Sequence, residues 1–185
     1  MFAVSVWAWP VYKKDDMDFS KIKMLAMDVD GVLTDGRVII NSDGSESKAF
    51  NLLDGHGIKL WHRAGLSTAM ISGRASGATT VRAEQLSIGF VRQGCIKKLP
   101  AFEELLADAD LAVDEVVYIG DDLLDLPLVR RAGYGVAVAN AVDELKEVAD
   151  YVTERSGGHG AVREVVEIVL KATGKWDKLM ERYLV

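Results

Sequence analysis

A chain of 185 residues with 49% hydrophobic and 27% charged residues has the composition of one soluble globular domain, large enough to bury a core and short for two independent ones. Its formal charge of −6, with lysines and arginines scattered rather than clustered, argues against a nucleic-acid partner, and an anionic substrate would need a local cation. The single cysteine, Cys95, allows no internal disulfide and no cysteine-based zinc site, and it suits a reducing compartment.

Residues 1–10 are apolar and include Phe2, Trp7 and Trp9, but no basic residue precedes them, Pro10 ends them and no small-residue cleavage site follows. They read poorly as a signal peptide. No other segment approaches the roughly 20 apolar residues of a membrane span, so a cytoplasmic protein with no membrane partner is expected. Met17 stands just before the first strand-like segment and is expected to be the natural start, with residues 1–20 an extension outside the core.

Residues 22–29 form a nearly continuous apolar run, which suits a strand buried on both faces of a parallel sheet. It ends in Asp28-Val29-Asp30-Gly31. Residues 37–51 then read as a β-hairpin turning at Asp43-Gly44. A helix over 57–64 leads to a strand over 66–71 that ends in Ser72-Gly73. Helices over 75–85 and 99–109 precede a strand over 116–119 that ends in Gly120-Asp121-Asp122. A strand over 134–138, a helix over 141–149, a short strand over 151–153 and a helix over 161–172 complete the main alternation. This order predicts a doubly wound, Rossmann-like α/β parallel sheet, in which ligands bind at the carboxyl ends of strands. The acidic and small-residue clusters all stand at such ends, so they should converge.

Asp28 and Asp30 flank one residue, and two unneutralised carboxylates so close need a divalent cation or a shared proton. Asp121 and Asp122 add oxygen ligands from another strand end, and an all-oxygen set suits magnesium. Asp28 is the candidate nucleophile, because a carboxylate attacks phosphorus without prior deprotonation. Asp30 is the candidate acid and base, first protonating the leaving alcohol and then activating water. Ser72 and the Gly73 amide would hold a phosphoryl oxygen, and Lys97 or Lys98 would balance the remaining charge.

In order, spacing and strand context, these segments resemble the four motifs of the haloacid dehalogenase superfamily of phosphatases. Asp28-Val-Asp-Gly-Val-Leu-Thr matches the first, Ile71-Ser72-Gly73-Arg74 the second, Lys98 the third and Gly120-Asp121-Asp122-Leu-Leu-Asp125 the fourth. The resemblance implies that magnesium is bound by Asp28, the backbone carbonyl of Asp30 and Asp121, with Asp122 and Asp125 supporting the metal's surroundings. Thr34-Asp35-Gly36, Asp54-Gly55-His56-Gly57-Ile58, Gln93-Gly94 and Gly157-Gly158-His159-Gly160 further resemble the family of phosphatases that act on 3-deoxy-D-manno-octulosonate 8-phosphate, a keto sugar acid phosphate on the route to lipopolysaccharide. That family forms tetramers. The resemblance covers about residues 22–171.

Thr34, His56, Gly73 and Arg74 are the candidate substrate contacts, His56 and Arg74 for the sugar acid's carboxylate or hydroxyls. The alternative for His56 is a structural place in a helix-entry turn. The hairpin and helix between Asp30 and Ser72 leave little room for a cap domain, so a homo-oligomer, a tetramer with shared active sites, is expected to supply the lid. The tail over 174–185 carries Trp176, Leu179, Met180, Tyr183 and Leu184. It either reaches a neighbour's site or packs as a short helix on its own domain. Rival functions are a phosphatase for another keto sugar acid, such as a sialic-type 9-phosphate, and a non-catalytic regulatory or assembly module of the same fold.

Overall fold

A computed structural model describes residues 17–184. In it the apolar runs become strands, beginning with β1 (Met24–Met27), which is buried at every position as a strand covered on both faces must be. A small hairpin follows, β2 (Ile39–Ile40) and β3 (Glu46–Ser47), paired antiparallel with Ile40 opposite Glu46. Then come α1 (Leu52–Arg63), β4 (Ser67–Ile71), α2 (Gly77–Leu86), β5 (Phe90–Arg92) and α3 (Lys98–Ala109). The remainder is β6 (Val116–Gly120), the single-turn α4 (Leu126–Val129), β7 (Tyr134–Ala137), α5 (Asp143–Val148), β8 (Tyr151–Val152), α6 (Ala161–Ala172) and α7 (Trp176–Met180).

Apart from the hairpin, the strands form one six-stranded parallel sheet in the order β5-β4-β1-β6-β7-β8. β1 is central, with β4 on one side and β6 on the other, registering Met27 against both Met70 and Ile119. Connections therefore leave β1 toward opposite edges, and a crevice opens where the loops after β1, β4 and β6 part. Trp61 on α1 is fully buried and donates its indole N–H to the Ser67 carbonyl at 2.7 Å, so its polar end is satisfied inside the core.

Several bounds differ from the sequence reading. α1 begins at Leu52, where the Asn51 side chain accepts from the Leu53 amide at 2.7 Å, although Gly55 and Gly57 suggested a later start. Those glycines serve packing: a Cβ on Gly57 would stand 3.1 Å from the Arg163 Cα of α6. β5 and α4 are additional elements, too short to give a periodic signal. Of the proposed N-terminal extension, residues 1–16 lie outside the described residues, while Phe19 packs edge to face on Tyr134 with ring centres 4.9 Å apart. The tail packs on its own domain. Arg163 and Lys171 lie over the Trp176 ring, and the Tyr183 hydroxyl meets His56 at 2.9 Å and Arg63 at 2.7 Å. Among the described residues, no helix is long and apolar enough to cross a membrane.

α1 and α6 are joined by a buried cap. Asp54 on α1 is fully buried and accepts from the Gly160 amide at 3.2 Å and the Arg163 amide at 2.9 Å, at the start of α6. Replacing Asp54 with alanine should cost about 1–3 kcal/mol, because buried helix N–H groups lose their acceptor. A lower urea midpoint with an unchanged slope is the expected readout.

Candidate active site

Asp28 follows the last residue of β1 and is 7% exposed, with Oδ1 accepting from the Val29 amide at 2.6 Å and Oδ2 lying 2.8 Å from the Lys98 ammonium. Lys98 opens α3, and its buried side chain also meets Asp125 Oδ1 at 2.7 Å. Lys97 is exposed, so Lys98 is the lysine that the start of α3 turns into the site.

Asp125 is fully buried, in the turn after β6. Its Oδ1 accepts from Lys98 and, at 2.7 Å, from the Tyr118 hydroxyl, while Oδ2 accepts from the amides of Asp121 at 3.1 Å and Asp122 at 3.3 Å. Four donors occupy the acceptor positions of one carboxylate. Asp125 thus holds the lysine and the acidic loop together.

Asp121 leans over the loop after β1. Gly31 has φ +91°, and a Cβ there would come 1.9 Å from Asp121 Oδ2, so only glycine lets the two loops approach. Asp121 Oδ1 is buried without a hydrogen-bond partner. Asp28, Asp121 and Asp125 each present an oxygen within 4.8 Å of the others. Burial first, then the charges of Asp28 and Asp125, push the Asp121 carboxyl up to about 8. Burial and Asp125 push Asp28 up to about 6 against the pull of Lys98. Burial works against the charge on Lys98 as well, but Asp125 and Asp28 outweigh it and raise its pKa. One ammonium among three carboxyls leaves the cluster short of positive charge. With an orphaned carboxylate oxygen and only oxygen donors, it fits a hard divalent cation such as magnesium.

Asp30 lies beside this cluster, with Oδ1 hydrogen-bonded to the Lys48 ammonium and Oδ2 3.9 Å from Arg74 Nε. Ser72 directly follows β4 and is buried, its Oγ accepting from the Arg74 amide at 3.3 Å. Asp28, Asp30, Ser72, Gly73, Arg74 and Lys98 line a cleft of about 170 Å³ together with Asp121, Asp122 and Leu124. Pockets that enclose a whole small ligand run to roughly 300–1,000 Å³, so this one has the scale of a phosphoryl group.

Two expectations change. Thr34 does not face the cleft: it is 1% exposed, and its hydroxyl accepts from the amides of Gly31 and Gly36 at 3.3 Å, tying the loop before the hairpin. His56 points away from the site, because position 56 faces α6 and the tail, where its ring meets Arg163 and Tyr183. Asp122 accepts from the Leu123 amide through Oδ1 at 2.7 Å and holds the acidic loop. Three residues were missed: Tyr118, Glu46 and Lys48. Tyr118 is the one hydroxyl in an otherwise apolar strand. Glu46 and Lys48 stand two apart in the hairpin, so an extended chain puts them on one side.

The chain matches the model of the haloacid dehalogenase-like hydrolases over residues 62–165. It is 44% identical over 157 residues to the 3-deoxy-D-manno-octulosonate 8-phosphate phosphatase of Escherichia coli K12, covering 85% of this chain and 84% of that protein. A crystal structure of the enzyme of that name from Moraxella catarrhalis, in complex with magnesium, phosphate and KDO, superimposes with a TM-score of 0.87 at 42% identity, covering 89% of this chain and 95% of that one. A probable YrbI-family phosphatase from Pseudomonas syringae gives 0.88 at 46% identity, covering 90% and 95%.

The raised carboxyls predict how the metal-free protein responds to pH. Both ionise above the open-chain value of 3.8, so their contribution to stability is complete below it and is lost as pH rises through about 6 and about 8. In a chelating buffer the thermal midpoint of Asp121→Asn should fall less steeply over that interval than that of the unaltered protein.

Proposed function

The chain belongs to the haloacid dehalogenase-like hydrolase family, and on that premise we propose that this phosphatase hydrolyses 3-deoxy-D-manno-octulosonate 8-phosphate to the free sugar acid and phosphate, as a step of lipopolysaccharide synthesis. One observation carries the reading: Asp28 stands buried at the head of a phosphate-sized cleft with a lysine ammonium 2.8 Å from one oxygen and a second carboxylate, Asp30, beside it. The relatives named for this substrate support the choice of sugar acid.

Asp28 attacks phosphorus and becomes an aspartyl phosphate, while Asp30 gives its proton to the departing sugar oxygen. Asp30, now a carboxylate, takes a proton from the water that cleaves the acyl phosphate and restores Asp28. Ser72 and the Gly73 amide orient a phosphoryl oxygen, and Lys98 offsets charge on the transferring group. Arg74, half exposed at the mouth, would receive the sugar acid's carboxylate. Asp28, Asp121 and the Asp30 carbonyl would hold the magnesium ion. When bound, it supplies the positive charge that the carboxylates and the phosphoryl oxygens demand.

The sugar must extend beyond the cleft, toward the hairpin. Val38, Ile39 and Ile40 are 43%, 50% and 63% exposed there, which supports a homo-oligomer, a tetramer, whose neighbouring subunit covers the mouth. A cytoplasmic location suits the lone, unpaired Cys95.

Asp28→Asn should lower phosphate release about a thousandfold or more, since no nucleophile remains to form the acyl phosphate. Release measured across keto sugar acid phosphates of eight and nine carbons tests the substrate, and a higher kcat/KM for the nine-carbon 9-phosphate would overturn the eight-carbon assignment. Light scattering that finds a fully active monomer would overturn the shared site.

A further inference from the structure

Lys48 is an oddity in an exposed hairpin. The apolar side chains of β2 stand in the open, yet the lysine side chain is 2% exposed. A buried ammonium is costly unless paired, and here it closes a ring of alternating charge. Lys48 bonds to Asp30 Oδ1 and lies 3.4 Å from Glu46 Oε1; Arg74 lies 2.5 Å from Glu46 Oε2 and 3.9 Å from Asp30 Oδ2. The ring ties the hairpin to the loops after β1 and β4. Two of its oxygens, Asp30 Oδ2 and Glu46 Oε1, are buried without a hydrogen-bond partner, and of these two residues Asp30 is the one that lines the cleft.

We propose that Lys48 is a positioning residue for the reaction: its ammonium pins Asp30 Oδ1, so that Oδ2 is the oxygen that gives and takes the proton. This rests on the acid and base role of Asp30 proposed above. As the Asp28–phosphorus bond forms and the bond from phosphorus to the sugar oxygen breaks, the Asp30 Oδ2 proton passes to that oxygen. The carboxylate left behind is stabilised by Lys48. When water attacks phosphorus and the Asp28–phosphorus bond breaks, Oδ2 recovers a proton from the water. Glu46 holds Lys48 and Arg74 on either side of Asp30, so the hairpin enters the site of its own chain as well as offering a surface to neighbours.

A lysine that merely anchors the hairpin makes a different prediction from one that positions an acid. Departure of a sugar alkoxide needs protonation, whereas 4-nitrophenolate leaves readily without it. In the magnesium-loaded, full-length enzyme, Lys48→Met should reduce single-turnover phosphoryl transfer from 3-deoxy-D-manno-octulosonate 8-phosphate about tenfold or more. Transfer from 4-nitrophenyl phosphate should fall less than about threefold by the same principle, with KM for the sugar phosphate little changed. Lys48→Arg, which keeps a cation in place, should recover most of the loss. Added to Asp30→Asn, Lys48→Met should cost almost nothing further, as coupled residues do. Equal losses on both substrates, a change confined to KM, or losses that add to those of Asp30→Asn would each overturn the role of Lys48. Asp30→Asn with unimpaired transfer from the sugar phosphate would instead overturn the acid and base reading itself.

Discussion

The Lys98–Asp125 ion pair is the interaction on which the site depends. It is fully buried, and a buried pair survives only if its remaining donors and acceptors are also satisfied. Asp125 meets that condition with a tyrosine hydroxyl and two backbone amides, and Lys98 meets it with Asp28 as a second partner. These bonds reach residues from the ends of β1 and β6 and the start of α3. One pair therefore sets the distance between Asp28 and the lysine ammonium and the course of the acidic loop.

The pair also explains why the cluster remains electrostatically incomplete. Burial raises the proton affinity of Asp28 and Asp121, the charge of Asp125 adds to it, and Lys98, shared with Asp125, offsets only part. Such a site favours anything that adds positive charge without adding bulk, which is the character of a small divalent ion. The same shortage discourages an anionic ester from entering without its own compensating charge.

The hairpin is the second organising feature. Its strands have two residues each, too few for independent stability. Its polar strand is fastened by the ring of Lys48, Asp30, Arg74 and Glu46, while its apolar strand is left facing outward. The division gives one short element two faces: an inner one held on Asp30 and an outer apolar one left exposed. In the tail, Trp176 and Tyr183 are engaged with Arg163, Lys171, His56 and Arg63 of their own domain.

The alternation of apolar runs and helical stretches was enough to read a doubly wound parallel sheet, because a strand buried on both faces has a composition that few other settings allow. It was also enough to read Asp28, Asp30, Ser72 and Asp121 as one site, since acidic and small residues at the ends of such strands must meet. What stayed hidden depended on direction. Thr34 and His56 lie near the motifs in sequence, but the loop turns one inward and the helix turns the other toward α6. Lys97 and Lys98 are equivalent on paper, and only the start of α3 separates an exposed ammonium from a buried one. Tyr118, Glu46 and Lys48 carry no motif, for their importance comes from partners distant along the chain. Local pattern determined which strands form and which residue types stand at their ends. Tertiary packing decided where each side chain points, because a side chain's direction follows from the element that carries it and from the neighbours that satisfy its charge.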